Sequence, residues 1–283
     1  MRLVATILLM FFLSGCSGEY ILTAPDVVCP AGEKAALIFR LQRREFWRIT
    51  SPQKNATVMV HLPDGATRCA LTDKNGYAAV AFVVPSRSGV YQVRFYYQDV
   101  EGQELSAKGN VYSLSKDDRF VVVDMDSLPK SGLDLSSACL ALKRLSQNVH
   151  LIYVSEKLGY TPAAARGLLR MRGYPEGPVV CFNKIPQWYQ YRLCRQGWRV
   201  RAVKPTRTDD NLTHLYNRLK KPTYAITADD LTARTFLNIG MKVIFVGKDS
   251  VGEAMTVDSW KEVGNLPVLD TKNTPAANQD GPK

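Results

Sequence analysis

Near residue 118 the hydrophobic rhythm of the chain changes, and this constrains the fold more than any single motif. From residue 20 to 112, short runs rich in Val, Phe, Tyr and Ala (36–41, 56–61, 77–84 and 90–97) alternate with turn clusters. These clusters are Pro63-Asp64-Gly65, Asp73-Lys74-Asn75-Gly76, Ser86-Arg87-Ser88-Gly89 and Glu101-Gly102. Runs of this kind between such turns predict a β-sandwich over residues 20–115. Residues 113–118 are polar and mark the boundary. Beyond them, strands alternate with helices, which predicts an α/β domain with a largely parallel sheet over residues 118–257. A chain of 283 residues with 46% hydrophobic content can supply both cores.

In the second half the expected strands are 120–123, 149–154, 178–182, 198–203, 223–227 and, last, 242–246. Helices are predicted over 136–147, from the Thr161-Pro162 cap to Gly173, over 211–219 and over 231–238. Residues 258–283 are rich in Pro, Asn and Asp and read as a disordered tail. Polar residues follow the strands: Asp124 and Asp126 after the first, Ser155 after the second, Lys204 after 198–203, and Asp229 and Asp230 after 223–227. In an open parallel sheet the carboxyl ends of the strands border one crevice, where ligands bind. Carboxylates, a hydroxyl and an ammonium gathered there suit a metal and a phosphate.

Asp124-Met125-Asp126-Ser127 after a β-branched run resembles the first motif of the haloacid dehalogenase superfamily of phosphohydrolases, and the four strand ends in order resemble its four motifs. The resemblance implies a Rossmann-like domain and a role for each residue. Asp124 would be the nucleophile, forming an aspartyl-phosphate, and Asp126 the acid/base. Ser155 would hold a phosphate oxygen and Lys204 would offset the negative charge, with Lys184 or Lys221 as substitutes. Asp124, the carbonyl of Asp126, Asp229 and Asp230 would hold Mg²⁺. Two departures stand out: Ser127 replaces the commoner Thr, and Asp229 and Asp230 are adjacent, where many relatives separate the acidic pair by several residues.

Residues 154–180, VSEKLGYTPAAARGLLRMRGYPEGPVV, resemble lipin-type and related bacterial phosphatidate phosphatase domains, with the turn Gly173-Tyr174-Pro175-Glu176-Gly177-Pro178 leading into a strand. That resemblance extends over about residues 119–248, and neither gap between motifs is long enough for a large cap. It implies a phosphomonoester substrate, with phosphatidate or a related phospholipid favoured. A catalytically weakened domain that binds lipid or phospholigand is the alternative.

In the first half, ALTDKNGYAAVAF followed by Gly89-Val90-Tyr91-Gln92-Val93 resembles bacterial immunoglobulin-like domains of the invasin kind, which implies a spacer or binding module. His61, His150 and His214 lack ligand partners in the sequence and read as core or surface residues.

Residues 1–16 read as an address: Arg2, the apolar run 3–13, then Leu13-Ser14-Gly15-Cys16. The last four resemble the bacterial lipobox, which implies a diacylated Cys16 at the mature N-terminus. With Ser17 following, it also implies outer-membrane sorting and a periplasmic position. Multiple acyl chains anchor stably where one does not. Disulfides are permitted outside the cytoplasm, and Cys29 and Cys69 fall in one domain, so that pair is the expected bridge. The net charge of +11, scattered through the second half without a clustered stripe, suits nucleic acid, an anionic membrane surface or a phosphorylated substrate, or simply a basic soluble surface; with the phosphatase resemblance, no nucleic-acid partner is expected. Oligomeric state is left open.

Overall fold

The computed structural model describes residues 19–46, 49–115, 118–155, 161–181 and 224–266. The expected strand 198–203, the helix 211–219, Cys194, His214 and Lys204 lie outside them, as do the leader and residues 267–283.

The first domain is a sandwich of nine described strands: β1 (Glu19–Thr23), β2 (Asp26–Pro30), β3 (Lys34–Phe46), β4 (Ile49–Pro52), β5 (Thr57–His61), β6 (Thr67–Leu71), β7 (Tyr77–Val83), β8 (Gly89–Gln98) and β9 (Glu104–Leu114). One sheet has the order β1-β3-β4, with β7 also paired to β3, and the other runs β2-β9-β8-β5-β6. Alternation sends Val58, Val60, Val93, Phe95 and Val111 into a core shared with Leu37, Phe39, Leu41, Val80 and Phe82. The rings of Phe39 and Phe95 meet there, 5.0 Å apart.

Sequence periodicity located β3, β5, β7 and β8 but not β1, β2, β4, β6 or β9. Strands such as β6 (TRCAL) and β9 (ELSAKGNVYSL) show many exposed positions, and pairing along the sheet outweighs their weak intrinsic propensity. The Thr-Asp-x-x-Gly turn has a local cause. Asp73 Oδ1 accepts the N–H groups of Asn75 and Tyr77, at 2.7 and 3.0 Å, and Gly76 has φ +76°. A Cβ at Gly76 would stand 2.3 Å from the Leu41 carbonyl oxygen, so only glycine fits.

The second domain contains β10 (Phe120–Asp124), a 3₁₀ turn (Met125–Ser127), α1 (Gly132–Leu145), β11 (His150–Ser155), α2 (Pro162–Met171), β12 (Val179–Cys181), β13 (Tyr224–Thr227), α3 (Asp230–Asn238), β14 (Lys242–Val246), β15 (Met255–Val257) and α4 (Trp260–Val263). Its strands form one parallel sheet in the order β12-β11-β10-β13-β14-β15. Both faces are covered, which is why β10 and β11 read as unbroken apolar runs. Val121, Val123, Leu151, Tyr153 and Ile226 pack on one face with Leu142 of α1, Leu169 of α2 and Trp260 of α4. Val122, Ile152, Ala225 and Phe245 pack on the other with Phe236 of α3 and with Val28 and Leu114 of the sandwich. The architecture is therefore a β-sandwich followed by an α/β domain with a parallel sheet, as the change of rhythm predicts.

Three expectations are corrected. The strand 242–246 is not the last, and the chain is not a tail from 258: β15 pairs with β14, and Trp260 and Val263 are buried at 4% and 0% exposure. Ser259 and the polar residues around it mask a four-residue helix too short to leave a periodic signal. Nor are Cys29 and Cys69 bridged. They lie on β2 and β6, the two edge strands of one five-stranded sheet. Four strand spacings separate such edges by about 19 Å, against a disulfide limit of about 7 Å between Cα atoms.

The domains meet at a buried carboxylate. Asp26 of β2 accepts from the Arg166 guanidinium of α2, from the N–H of Val179 in β12 at 3.1 Å and from the N–H of Asn110 in β9 at 3.3 Å. Burial pushes its pKa up, while Arg166 and the two amides pull it back.

Candidate active site

In this sheet the chain steps from β10 outward to β11 and β12, and the next described strand, β13, lies on the opposite side of β10. The crevice beyond the carboxyl ends of β10 and β13 is thus the topological switch point, the usual place for a ligand in an open α/β sheet. Asp124 ends β10, Ser155 ends β11 and Thr227 ends β13, and all three side chains are buried.

The 3₁₀ turn after β10 puts both aspartates on one side. Asp124 caps the turn, its Oδ1 accepting the Asp126 N–H at 2.9 Å. Its Oδ2 accepts the Thr227 hydroxyl proton at 2.8 Å. Asp126 is held from the opposite flank, where Ser155 Oγ donates to its carboxylate at 3.0 and 3.1 Å. The hydroxyl expected to grip a phosphate oxygen is therefore in contact with the second aspartate. Burial raises the Asp124 pKa above the ordinary carboxyl value, and the Asp126 charge adds to the rise. Donation from Thr227, the Asp126 amide and Ser127 opposes it.

The turn 173–178 braces this arrangement. Tyr174 donates its hydroxyl proton to the Pro129 carbonyl at 2.8 Å, tying the loop after the aspartates to the end of α2. Tyr153, in the middle of β11, donates to the Pro175 carbonyl at 2.9 Å. Gly177 lies so close to β11 that a Cβ would stand 2.5 Å from the Leu151 carbonyl oxygen.

Asp229 and Asp230 are placed differently from the expectation. Strand β13 ends at Thr227, and Asp229 is the N-cap of α3, its Oδ2 accepting the Thr232 N–H at 2.9 Å and the Thr232 hydroxyl at 2.8 Å. Asp230 is exposed and paired with Arg234 at 2.9 Å, one helical turn on. Among the described residues no group of three or more His, Cys, Asp or Glu side chains is placed to hold a metal. Oxygen donors do converge: the carboxylates of Asp124 and Asp126 and the hydroxyls of Ser127, Ser155 and Thr227. Such a set fits Mg²⁺, which is commonly held by one or two carboxylates and completes its shell with water and substrate phosphate. The fit runs through Asp124 and Asp126, not through Asp229 and Asp230.

Thr227 is the site residue that sequence reasoning missed. A signal was present, because Thr227 closes the apolar run Tyr224–Thr227 as Ser155 closes His150–Ser155. The two acidic residues that follow drew the assignment past it. His61 lies far from this chemistry on the sandwich surface, its ring edge-on to Tyr96 at 5.1 Å.

No protein-family model matches the chain, and no curated protein matches it. Similar solved structures include titin M4, at 12% identity and TM-score 0.25 over 34% of this chain and 95% of that one. The Ig1 domain of mouse SynCAM 2 matches at 14% identity and TM-score 0.22, over 34% of this chain and 96% of its own. A family 39 glycoside hydrolase from the gut symbiont Bacteroides cellulosilyticus matches at 12% identity and TM-score 0.25, over 80% of this chain and 51% of its own. Scores this low carry no argument about fold or activity.

Proposed function

We propose that the chain is a phosphomonoester hydrolase of haloacid dehalogenase type, acting through Asp124. What supports this reading is the meeting of Asp124, Asp126 and Ser155 at adjacent strand ends on the switch point, in the order that the motif resemblance implies. The Asp124 carboxylate attacks phosphorus, and the bond to the ester oxygen breaks as an aspartyl-phosphate forms. Asp126 gives its proton to the departing oxygen, then takes one from the water that hydrolyses the aspartyl-phosphate, which restores Asp124 and releases inorganic phosphate. Ser155 orients Asp126 for both transfers. Mg²⁺, when bound at Asp124 and Asp126, supplies charge neutralisation for the phosphoryl oxygens. The lipobox resemblance at Cys16 adds an acyl anchor and a periplasm-facing outer-membrane position, which favours phosphatidate or a related phospholipid as substrate.

A second reading, a lipid- or phospholigand-binding lipoprotein of the same fold, draws on one observation: the Asp229 and Asp230 carboxylates are committed to a helix cap and an exposed ion pair. Full-length protein in detergent, given p-nitrophenyl phosphate with and without Mg²⁺ and then a phosphatidate panel, separates the two. Hydrolysis requires Mg²⁺ in the first reading and disappears in Asp124→Asn. Binding of phosphatidate vesicles without release of phosphate from any of these esters would establish the second.

A further inference from the structure

We infer that Thr227 is the positioning residue for Asp124, and that it, rather than Asp229 or Asp230, is the contribution of β13 to the chemistry. The inference rests on reading Asp124 as the nucleophile. Parallel pairing of β10 with β13 sets Val123 opposite Ile226, so the next residues, Asp124 and Thr227, leave the sheet side by side across the switch point. Thr227 is fully buried, and its hydroxyl lies between two groups of fixed character. The N–H of Asp229, 3.0 Å from Thr227 Oγ1, can only donate and so occupies a lone pair of that oxygen. The single hydroxyl proton is left for Asp124 Oδ2 at 2.8 Å, the nearer of the two acceptors beside it, with Ser127 Oγ at 3.5 Å.

The direction of the chain is therefore set: Asp229 amide to Thr227 hydroxyl to Asp124 carboxylate. With the Asp126 amide on Oδ1, the carboxylate has a donor on each oxygen and cannot rotate without losing both of these bonds. A nucleophile so held presents its remaining lone pairs to the crevice in one orientation, which is the condition for in-line attack. The Asp229 side chain serves the same end indirectly. By capping α3 through Thr232 it fixes the segment whose amide feeds Thr227.

The test uses full-length protein with p-nitrophenyl phosphate and Mg²⁺. Thr227→Val keeps the shape of the side chain and removes the donor. It should lower kcat about tenfold to a hundredfold, the worth of a hydrogen bond to a charged group, with KM within about twofold. Thr227→Ser restores the hydroxyl and should recover most of kcat, which a merely structural role in packing the methyl would not produce. Asp229→Ser, which preserves a cap, should stay within about threefold of the parent. The inference is overturned if Thr227→Val retains full kcat, or if Asp229→Ser loses as much as Thr227→Val.

Should the parent protein release no phosphate, the nucleophile reading falls, and a thermal double-mutant cycle of Asp124→Ala with Thr227→Val then decides the inference. Non-additive shifts in midpoint sustain the grip of Thr227 on Asp124, and additive shifts refute it.

Discussion

The seam between the domains and the strand-end crevice each enclose a buried aspartate, and the two differ in how the charge is met. At the seam, Asp26 receives a guanidinium and two backbone amides, one of them the outward N–H of β12. In the crevice, the described donors to Asp124 are neutral, the Thr227 and Ser127 hydroxyls and the Asp126 amide, and Asp126 brings further negative charge beside it. Burial lifts the pKa of both. Burial alone therefore does not mark a functional carboxylate. The seam is closed by its own counter-charge and joins three elements, whereas in the crevice the described donors to Asp124 are neutral and a second carboxylate stands beside it, an arrangement that suits a divalent cation and a phosphate. The seam also shows that the sandwich is not a loosely tethered spacer, since Val28 and Leu114 share a core with β10 and α3.

The sharpest break of this comparison is to neutralise each aspartate. Asp124→Asn should cost at least about a thousandfold in phosphate release, as for other essential nucleophiles. It should leave thermal stability unchanged or slightly raised, because it removes a charge held out of water. Asp26→Ala should do the reverse, leaving Arg166 and two N–H groups without their acceptor and lowering the unfolding free energy by about 3 kcal/mol, read from urea midpoints. Equal loss of stability in the two variants would erase the distinction.

A smaller effect separates capping from metal binding at Asp229. Asp229→Ala should destabilise by about 1 kcal/mol through loss of the α3 cap, and Asp229→Ser should recover it. If both variants lose all Mg²⁺-dependent turnover, Asp229 is a metal ligand after all.

The smallest effect concerns pH. A carboxyl whose pKa rises on folding binds its proton more tightly in the folded chain, so its contribution to stability is fully present below the ordinary carboxyl value of the unfolded chain and is lost as pH climbs through the raised folded value. Urea midpoints measured upward from the ordinary carboxyl value should show this loss in the parent, and Asp124→Asn should show less of it. A parent midpoint that instead rises steadily through this window, with the same slope in Asp124→Asn, would contradict the raised pKa.

Much of the fold was legible because it rests on patterns a few residues long. The unbroken apolar run of β10, the Thr161-Pro162 cap of α2 and the glycine turns announce themselves locally. So did Asp124, Asp126 and Ser155, since a polar residue at the end of a buried strand is visible in one dimension. What escaped was decided by partners distant in sequence. Asp26 reads as an ordinary turn residue until α2 and β12, 140 and 153 positions away, close over it. Trp260 belongs to no periodic segment and is buried because it packs onto the sheet face beside α1.

The sequence by itself determined that a sandwich precedes a parallel-sheet domain and that two aspartates follow its first strand, because period and turn chemistry act over a few residues. Tertiary structure alone decided which neighbours those aspartates meet. Parallel register set Thr227 against Asp124 and left Asp229 to cap a helix, since hydrogen bonds between strands are fixed by where each strand ends in space and not by which acidic residue comes next in the chain.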